Sequence, residues 1–340
     1  MTQLSQTNVE IGFQDLSESV KLLQQTLDTS FFDAYVENGE NLLDEGRVRV
    51  IDNVPNQAEV KELETHYQEL LSLNLSTEEK RKITQLTLLS GLKVEPLQAN
   101  HQLTPDSIGF LFVYMIEQLT KHQKDNMVVG DLSVGMGNLL YTVLSNLELA
   151  GYKNISGVGV DVDELLLQIA AVDKNWLNLN VDLFHQDCLE PLLIEPLDVA
   201  IADLPIGYYP RDEVAKEYMT SFSTEHSYAH HLIMEQSMKY VKKGGFGLFL
   251  LPNNFLETEQ ADVLKKWLME EVYLQGILQL PKTLFSQKSL GKSIVLVQNK
   301  GGESSQAKEV LLAELPSLKE NQSVLNFVNQ FRQWCESNIK

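Results

Sequence analysis

Three aspartates each close one of three consecutive predicted β-strands. Asp131 follows the strand MVVG, Asp161 ends GVGVD, and Asp187 follows VDLFHQ. Loops that follow the strands of a parallel sheet meet at one edge of the sheet, where ligands bind. Carboxylates gathered there accept hydrogen bonds from hydroxyl and amino groups. The spacing therefore predicts that the three carboxylates point into one crevice.

The first of these loops is rich in glycine. It reads Asp131-Leu-Ser-Val-Gly135-Met-Gly137-Asn138 and leads into a predicted helix. Glycine lets the backbone approach a ligand closely, and the first N–H groups of a helix have no partner within the helix. A phosphate-binding P-loop is excluded because no GxxxxGK[ST] run occurs. The alternative for this loop, taken alone, is a tight turn that binds nothing.

The next two acids match the two halves of a nucleoside. Asp161 lies 24 residues after Gly137, at the tip of the second strand, where an acid accepts hydrogen bonds from a ribose diol. Asp187 can accept a hydrogen bond from the exocyclic amine of adenine, and Cys188 beside it is expected to line the pocket or the core. The alternatives are a helix N-cap for Asp161, a role that Asp163 suits better, and a solvated loop acid for Asp187.

The loop after the fourth strand indicates the reaction. The strand DVAIA runs into Asp203-Leu-Pro205-Ile-Gly-Tyr208-Tyr209-Pro. Such a segment can present an amino group to an electrophilic methyl group. The carboxylate and a neighbouring carbonyl accept hydrogen bonds from the amine, proline stiffens the turn, and an aromatic ring stacks on a base. The alternative is a proline–tyrosine turn that only ends the strand.

From about residue 100, strands alternate with helices. We predict strands at 127–131, 155–161, 181–186, 198–203, 246–252, 272–280 and 293–298, and helices at 138–150, 163–177, 225–242 and 259–270. Strands that alternate with helices of this length form a mainly parallel sheet covered on both faces. The predicted fold class is therefore α/β, with a doubly wound, mainly parallel sheet of seven strands.

The first 95 residues are predicted to be helical throughout. Pro55 is expected to open one helix, and Ser76 with Glu79 has capping-box spacing for another at 77–90, which Gly91 would end. The chain then divides into an N-terminal helical domain at 1–95, a catalytic domain at 96–312 and a C-terminal helical tail at 313–340, packed on the catalytic domain.

The net charge of the chain restricts the kinds of partner that it can bind. The chain of 340 residues is 43% hydrophobic and 22% charged, as in ordinary globular proteins, and has a formal net charge of −20. A chain this acidic does not attract nucleic acid through its overall field, so such binding requires a local basic patch. Lys282, Lys288 and Lys292, in the loop between the last two predicted strands, can supply one. Solvated lysines are the alternative.

Other classes of protein and site are disfavoured. Two cysteines, Cys188 and Cys335, exclude a disulfide framework and a cysteine-rich zinc module. No segment has the roughly 18 apolar residues of a membrane span, and the start of the chain lacks a signal-peptide pattern, so we expect a cytoplasmic protein. His226, His230 and His231 share a predicted helix, but without an HExxH motif they favour packing, and we expect no metal.

Together these motifs resemble the class I S-adenosylmethionine-dependent methyltransferases. Within that class they are similar to the N6-adenine DNA methyltransferase branch, which includes modification subunits of type I restriction systems, and to a Firmicute group of stand-alone adenine-specific methyltransferases with an N-terminal helical domain. The resemblance covers about residues 95–300 and includes the stretches LLPNNFLE and LPKTLFSQKSLGKSIVLVQNK. It implies S-adenosylmethionine as cofactor, with Thr104 and Pro105 in the leading cofactor segment.

One departure from this branch concerns the acceptor. Its adenine enzymes carry Asn or Asp, then Pro-Pro and an aromatic residue, whereas residues 203–206 read Asp-Leu-Pro-Ile. Tyr208 or Tyr209 can supply the ring, because stacking requires an aromatic face and not a fixed position. The resemblance implies methyl transfer to an exocyclic amine, with adenine N6 in DNA favoured. RNA, a protein side chain, a small molecule and a catalytically inactive cofactor-binding module are the alternatives.

Overall fold

The computed structural model describes residues 3–284, 291–317 and 320–339. The chain begins with four helices, α1 (Gln3–Leu27), α2 (Phe31–Leu43), α3 (Gln57–Ser72) and α4 (Thr77–Val94). A short 3₁₀ turn at Ala99–His101 and helix α5 (Asp106–Leu119) lead into the sheet. None of the helices within the described ranges is long and apolar enough to cross a membrane.

Local signals set the starts of two of these helices. The predicted capping box of α4 is present, since the Ser76 hydroxyl accepts from the backbone N–H of Glu79 at 3.3 Å and the Glu79 carboxylate accepts from that of Ser76 at 2.9 Å. A second capping box, Asn56 with Glu59, starts α3, so the predicted opening at Pro55 is displaced by two residues. Both sites carry a short polar N-cap residue, Asn56 or Ser76, followed by glutamate three positions later.

The sequence predicted that Gly91 ends its helix, but the helix continues past this residue to Val94. Gly91 lies inside α4, where a Cβ would collide with the ring of Phe31 in α2. The glycine therefore serves close packing between two helices, a use that a single sequence does not distinguish from a helix stop.

The remainder of the chain builds one sheet with helices on both faces. Its strands are β1 (Val128–Asp131), β2 (Ser156–Asp161), β3 (Val181–His185), β4 (Leu197–Asp203), β5 (Val241–Pro252), β6 (Val272–Gln279), β7 (Lys292–Asn299) and β8 (Leu311–Glu314). The helices between and after them are α6 (Asn138–Leu149), α7 (Glu164–Leu177), α8 (Asp212–Ala215), α9 (Ala229–Tyr240), α10 (Ala261–Glu270) and α11 (Asn321–Asn338).

The strand order is β3-β2-β1-β4-β5-β7-β6-β8, and only β7 runs antiparallel to its neighbours within the described residues. The α/β class, the mainly parallel sheet and the N-terminal helical region are thus confirmed. The sheet has eight strands instead of the predicted seven, because the short edge strand β8 pairs with β6. The predicted boundary at 312/313 falls inside this strand.

The passage from α9 to β5 also differs from the prediction. The sequence predicted a helix to residue 242 and a strand from residue 246. The helix ends instead at Tyr240 and the strand begins at the next residue, so Gly244 and Gly245 lie within β5. A Cβ at Gly245 would come within 2.6 Å of the carbonyl oxygen of Asp198. Glycine here permits two backbones to lie close together.

Three groups of buried apolar side chains hold these layers together. Two cover the faces of the sheet, and α11 contributes Phe327, Phe331 and Cys335 to one of them. The third joins α1–α4 to the sheet domain: it contains helical-domain residues such as Phe32 and also Met136 from the glycine-rich loop. The helical region therefore shares a core with the loop that the sequence predicted to bind a ligand.

Candidate functional site

A cleft of about 560 Å³ opens at the carboxyl ends of β1 and β4. This is the edge at which parallel α/β sheets bind ligands, next to the point where the chain reverses the direction of strand order. Seven of the residues predicted to bind the cofactor or to act in catalysis line it: Thr104, Pro105, Asp131, Gly135, Asn138, Asp203 and Pro205.

The glycine-rich loop is shaped by two carboxylates. The Asp131 carboxylate accepts from the backbone N–H of Ser133 at 3.0 Å, and that of Asp161 accepts from the backbone N–H of Gly135 at 2.8 Å. Gly135 has φ +53°, and a Cβ there would meet no atom within 4 Å, so open space lies above the loop. Gly137, at φ +84°, precedes the first residue of α6. Backbone in this left-handed region favours glycine at both positions.

Asp131 is buried at the floor of this cleft. Burial raises its pKa to about 8, and the nearby charges of Asp161 and Asp203 act in the same direction. The hydrogen bond from the Ser133 backbone opposes this effect. A carboxyl group in such a place gains its charge when a positive charge is brought close. The floor of the cleft is thus suited to a cationic ligand.

A chain of hydrogen bonds joins three of the predicted residues. The Asn138 side-chain amide donates to the backbone carbonyl of Thr104 at 2.6 Å, and the Thr104 hydroxyl donates to Asp203 Oδ2 at 3.1 Å. The segment before α5, the start of α6 and the end of β4 are therefore fixed relative to one another across the cleft.

Asp203 has a second partner that the sequence did not suggest. The ammonium group of Lys292, the first residue of β7, contacts Asp203 Oδ1 in a hydrogen-bonded ion pair, and both side chains line the cleft. The sequence placed Lys292 in a loop that contacts phosphates. Instead, Lys292 lies at the cleft, because the antiparallel pairing of β7 with β5 places it opposite Pro252 at the carboxyl end of β5.

The loop after Asp203 is held by a residue that lies far away in the sequence. Asn100 donates from its amide to the carbonyl of Ile206 at 3.0 Å and accepts from the N–H of Ile206 at 3.1 Å. Leu204 is buried in the core, whereas the side chain of Ile206 is 46% exposed and lines the cleft. The position at which the resemblance implies an aromatic ring therefore holds an accessible aliphatic side chain.

The two tyrosines of this loop turn away from the cleft. After Gly207 the chain forms a short bridge with the segment before α9, in which the N–H of Tyr209 donates to the carbonyl of Ser227 at 2.8 Å. Tyr208 stacks on Tyr228, with ring centroids 5.1 Å apart, and is 53% exposed. Neither tyrosine lines the cleft, so the predicted stacking ring is not brought to Asp203 in this structure.

Asp187 is also directed elsewhere. Its Oδ2 accepts from the hydroxyl of Tyr209 at 2.6 Å, and its Oδ1 accepts from the backbone N–H of Leu189 at 3.0 Å. Arg211 lies 3.4 Å from the same Oδ2. Asp187 lies outside the lining of the cleft. Of the three aspartates, Asp131 lines the cleft, and Asp161 lies outside the lining but holds the glycine-rich loop. A contact of Asp187 with an adenine ring stays a prediction.

Cys188, His230 and His231 belong to the core and not to the cleft. Cys188 is buried between helices and sheet, and burial raises the pKa of its thiol. Helix α9 begins at Ala229, so His226 precedes the helix on which the sequence placed it. His230 and His231 are buried, and burial lowers their pKa values to about 4 and about 3, respectively. The rings of His230 and His231 therefore pack in the core, as the sequence predicted.

The other two predicted lysines, Lys282 and Lys288, lie on the segment between β6 and β7. Lys282 begins a 3₁₀ turn, and Lys288 lies outside the described residues. The residues that the sequence analysis missed are Lys292 as a partner of Asp203, Asn100 as a partner of Ile206, and Met136 as a core residue. Each depends on a contact between distant parts of the chain, for which no local motif exists.

Comparison with known proteins places this geometry in context. The family described as N-6 DNA Methylase matches residues 97–333, and the one described as YtxK N-terminal helical domain matches residues 10–92. The uncharacterized protein YtxK of Bacillus subtilis (strain 168) is 34% identical over 331 residues, which cover 97% of this chain and 98% of that protein.

Solved structures have the same fold. The structure of a putative class I S-adenosylmethionine-dependent methyltransferase from Listeria monocytogenes superposes with a TM-score of 0.88 at 37% identity, covering 96% of this chain and 99% of that one. The type I restriction-modification system methyltransferase subunit from Streptococcus thermophilus gives 0.62 at 14% identity, covering 96% and 74%. At that identity the likeness concerns the fold alone.

Proposed function

The chain belongs to the N-6 DNA methylase family, and from this premise we propose that it is an S-adenosylmethionine-dependent methyltransferase that acts on the N6 amine of adenine in DNA. The observation that carries the proposal is the position of Asp203. Its carboxylate lies at the carboxyl end of β4, in the same cleft as the glycine-rich loop. A hydrogen-bond acceptor for an amine and a site for a cationic nucleoside thus share one space.

The residues around the glycine-rich loop fit this cofactor. The open space above Gly135 admits a ligand, and the buried carboxyl of Asp131 complements a positive charge. Asp161 holds the loop and would accept from the ribose, while Asn138 and Thr104 line the opposite wall. We assign Pro105 to the same segment, and we retain Gly137 as the residue that lets the helix start there.

When bound, S-adenosylmethionine supplies a methyl group on a positively charged sulfur, and no covalent intermediate with the protein is needed. Asp203 orients the acceptor amine by accepting a hydrogen bond from it, so that the nitrogen lone pair faces the methyl group. Each carboxylate oxygen can accept more than one hydrogen bond. The bonds from Thr104 and Lys292 therefore fix the carboxylate and leave it able to accept from a substrate.

The acceptor must reach this cleft from outside. A base in duplex DNA reaches Asp203 only when it is turned out of the stack. We propose that Pro205 stiffens the loop beneath such a base and that Ile206 packs against it, with Tyr208 contacting the flanking strand from the outer face. Lys282 and Lys288 remain the proposed phosphate contacts.

A second candidate function is methylation of an amine outside DNA, in RNA, a protein or a small molecule. Two observations favour it: the aliphatic Ile206 at the stacking position, and the net charge of −20, which opposes binding of a polyanion. A chain that binds the cofactor without turnover is the third candidate. We also propose that the chain divides near residue 95 into a helical domain and a catalytic domain, and that the catalytic domain extends through β8 before the C-terminal helical tail.

A labelled-methyl assay separates these candidates. The purified protein is incubated with S-adenosylmethionine carrying a labelled methyl group and with unmethylated genomic DNA, RNA or protein extract. Label in DNA, located on adenine N6 by nucleoside analysis and absent with Asp203→Ala, supports the proposal. Label only in RNA or protein supports the second candidate. Cofactor binding without transfer to any pool supports the third.

Calorimetric titration with S-adenosylmethionine tests the cofactor site separately. Asp161→Ala removes the acceptor for the Gly135 N–H and the proposed ribose contact, and we expect affinity to fall about 10- to 100-fold. Asp163→Ala is the matched control, because Asp163 caps α7 two residues away, where it accepts from the backbone N–H of Leu166 at 3.0 Å. Equal affinity in the wild type and Asp161→Ala would contradict the assignment of the ribose site.

A further inference from the structure

One buried arginine joins the helical domain to two segments that border the cleft. Arg81 in α4 is 2% exposed and forms paired hydrogen bonds with two carboxylates. Its bonds to Glu78 are 2.8 and 2.9 Å long, and those to Asp106 are 2.8 and 3.0 Å. A planar guanidinium bound in this way fixes both the distance and the orientation of its partner.

Asp106 lies next to the cofactor segment. It is the first residue of α5 and follows Thr104 and Pro105 directly. Arg81 also donates to the hydroxyl of Thr142 at 3.1 Å, and Thr142 in turn donates to the carbonyl of Asn138 at 2.8 Å. Arg81 thus holds the two segments that form the walls of the cleft at Thr104 and Asn138.

These bonds close a circuit around the cleft. Asn138 donates to Thr104 at 2.6 Å, and Thr104 donates to Asp203 at 3.1 Å. A change in position of Asp106 or Thr142 is therefore transmitted through at most two hydrogen bonds to a residue that lines the cleft. The circuit contains one residue from the helical domain, Arg81.

Apolar contacts reach the same place. Met136, between the two glycines of the loop, is buried among side chains of the helical domain. Leu166 of α7 belongs to this shared core and also lines the cleft. The helical domain therefore supports the loop from behind, while Arg81 fixes the walls.

We propose that the N-terminal helical domain is a structural part of the cofactor site, and that Arg81 is a positioning residue for cofactor binding. Arg81 touches no part of the cleft itself and acts through Asp106 and Thr142. This proposal rests on the proposed function for the identity of the ligand.

The test compares two polar contacts between the helical domain and the sheet domain. One is Arg81–Asp106, and the other is Tyr35–Asp173, in which the Tyr35 hydroxyl donates to the buried Asp173 at 2.7 Å. Both bridge the same interface, but Asp173 lies in the last third of α7, away from the cleft lining. Tyr35→Phe is therefore a matched control for the loss of an interdomain hydrogen bond.

Affinity for S-adenosylmethionine is measured by calorimetry for the full-length wild type, Arg81→Lys, Asp106→Asn, the double variant and Tyr35→Phe. Thermal melting establishes the folded state of each. We expect Arg81→Lys and Asp106→Asn each to weaken binding about tenfold, the double variant to be no weaker than the worse single one, and Tyr35→Phe to keep wild-type affinity.

Three results would overturn the proposal: wild-type affinity in folded Arg81→Lys and Asp106→Asn, additive losses in the double variant, or an equal loss in Tyr35→Phe. If Arg81→Lys does not fold, Asp106→Asn decides, because Asp106 is partly exposed and tolerates the change more easily. Failure of the wild type itself to bind the cofactor contradicts the proposed function instead, so the two failures are distinguishable.

Discussion

The two ends of β4 carry the same pair of residue types in different surroundings. At the amino end, Asp198 pairs with Lys242 at 2.8 Å, and at the carboxyl end Asp203 pairs with Lys292. Asp198 is 5% exposed and also accepts from the backbone N–H of Val128 at 2.8 Å. The side chain of Asp203 is 23% exposed and borders the cleft.

The difference separates a structural ion pair from one that we propose takes part in catalysis. Asp198 receives a third bond, from Gln123 at 2.7 Å, so its carboxylate is surrounded by donors of the protein itself. Asp203 receives bonds from Thr104 and Lys292 and keeps a face toward open space. A carboxylate fixed on one side and accessible on the other is suited to receive a substrate, whereas a saturated buried one is suited to hold strands together.

Removal of the two carboxylates should have opposite consequences. We expect Asp203→Ala to lower the rate of methyl transfer by about 10²- to 10³-fold, the typical cost of losing one oriented polar contact to the reacting group, with little change in the free energy of unfolding. Asp198→Ala should lower the free energy of unfolding by about 2–4 kcal/mol, because it leaves buried donors without a partner. Transfer assays and chemical denaturation of both variants measure this.

Comparable losses of activity in folded Asp203→Ala and Asp198→Ala would contradict the proposed difference in role between the two ends of β4. Asp203→Asn serves as a further control, since its amide oxygen still accepts a hydrogen bond. It should recover part of the activity that Asp203→Ala loses.

The lysine partners of the two aspartates should show the same contrast between catalysis and stability, with smaller effects. Lys292→Met removes the group that orients Asp203, and we expect a loss of about tenfold in the catalytic rate with the affinity for cofactor retained. Lys242→Met should leave the rate unchanged and cost at most about 1 kcal/mol of stability, because Lys242 is about half exposed. Single-turnover rates and cofactor titrations of the two variants provide the measurement.

Asp131, at the same edge of the sheet, should make the free energy of unfolding depend on pH. The pKa of this buried carboxyl is raised from 3.8 to about 8, so the folded state holds a proton that the unfolded chain loses near pH 4. Its contribution to stability is complete below about pH 4 and is lost as the pH rises through about 8. We expect the wild type to lose at least about 1 kcal/mol more than Asp131→Asn between pH 5 and pH 8.

Denaturation of both proteins at each pH measures this difference. Asp173, whose pKa is also raised to about 8, is present in both and cancels in the comparison. Parallel curves for the wild type and Asp131→Asn would show that Asp131 is already ionised at neutral pH.

Local sequence patterns predicted the order of elements because their signals lie within a few residues. The strands that end at Asp131, Asp161 and Asp203 and the capping box at Ser76 are examples. Strand β8 was missed because it has four residues at the edge of the sheet, too few to establish an alternating pattern.

The partners of the site residues were harder to predict, because they come from distant parts of the chain. Lys292 meets Asp203 only through the register of β7 on β5. Tyr208 and Tyr209 were assigned to the cleft by their distance along the chain from Asp203, but the turn at Gly207 pairs them with the segment before α9. Nothing within the loop itself signals that pairing.

The attachment of Ile206 to Asn100 has a consequence for how this protein can change over evolutionary time. Both backbone polar groups of Ile206 are satisfied by a side chain 106 residues earlier, so the path of the loop does not depend on which side chain residue 206 carries. Under the proposed function, exchanges at this one position alter the range of accepted substrates while the loop keeps its course, which makes residue 206 a natural starting point for new specificity.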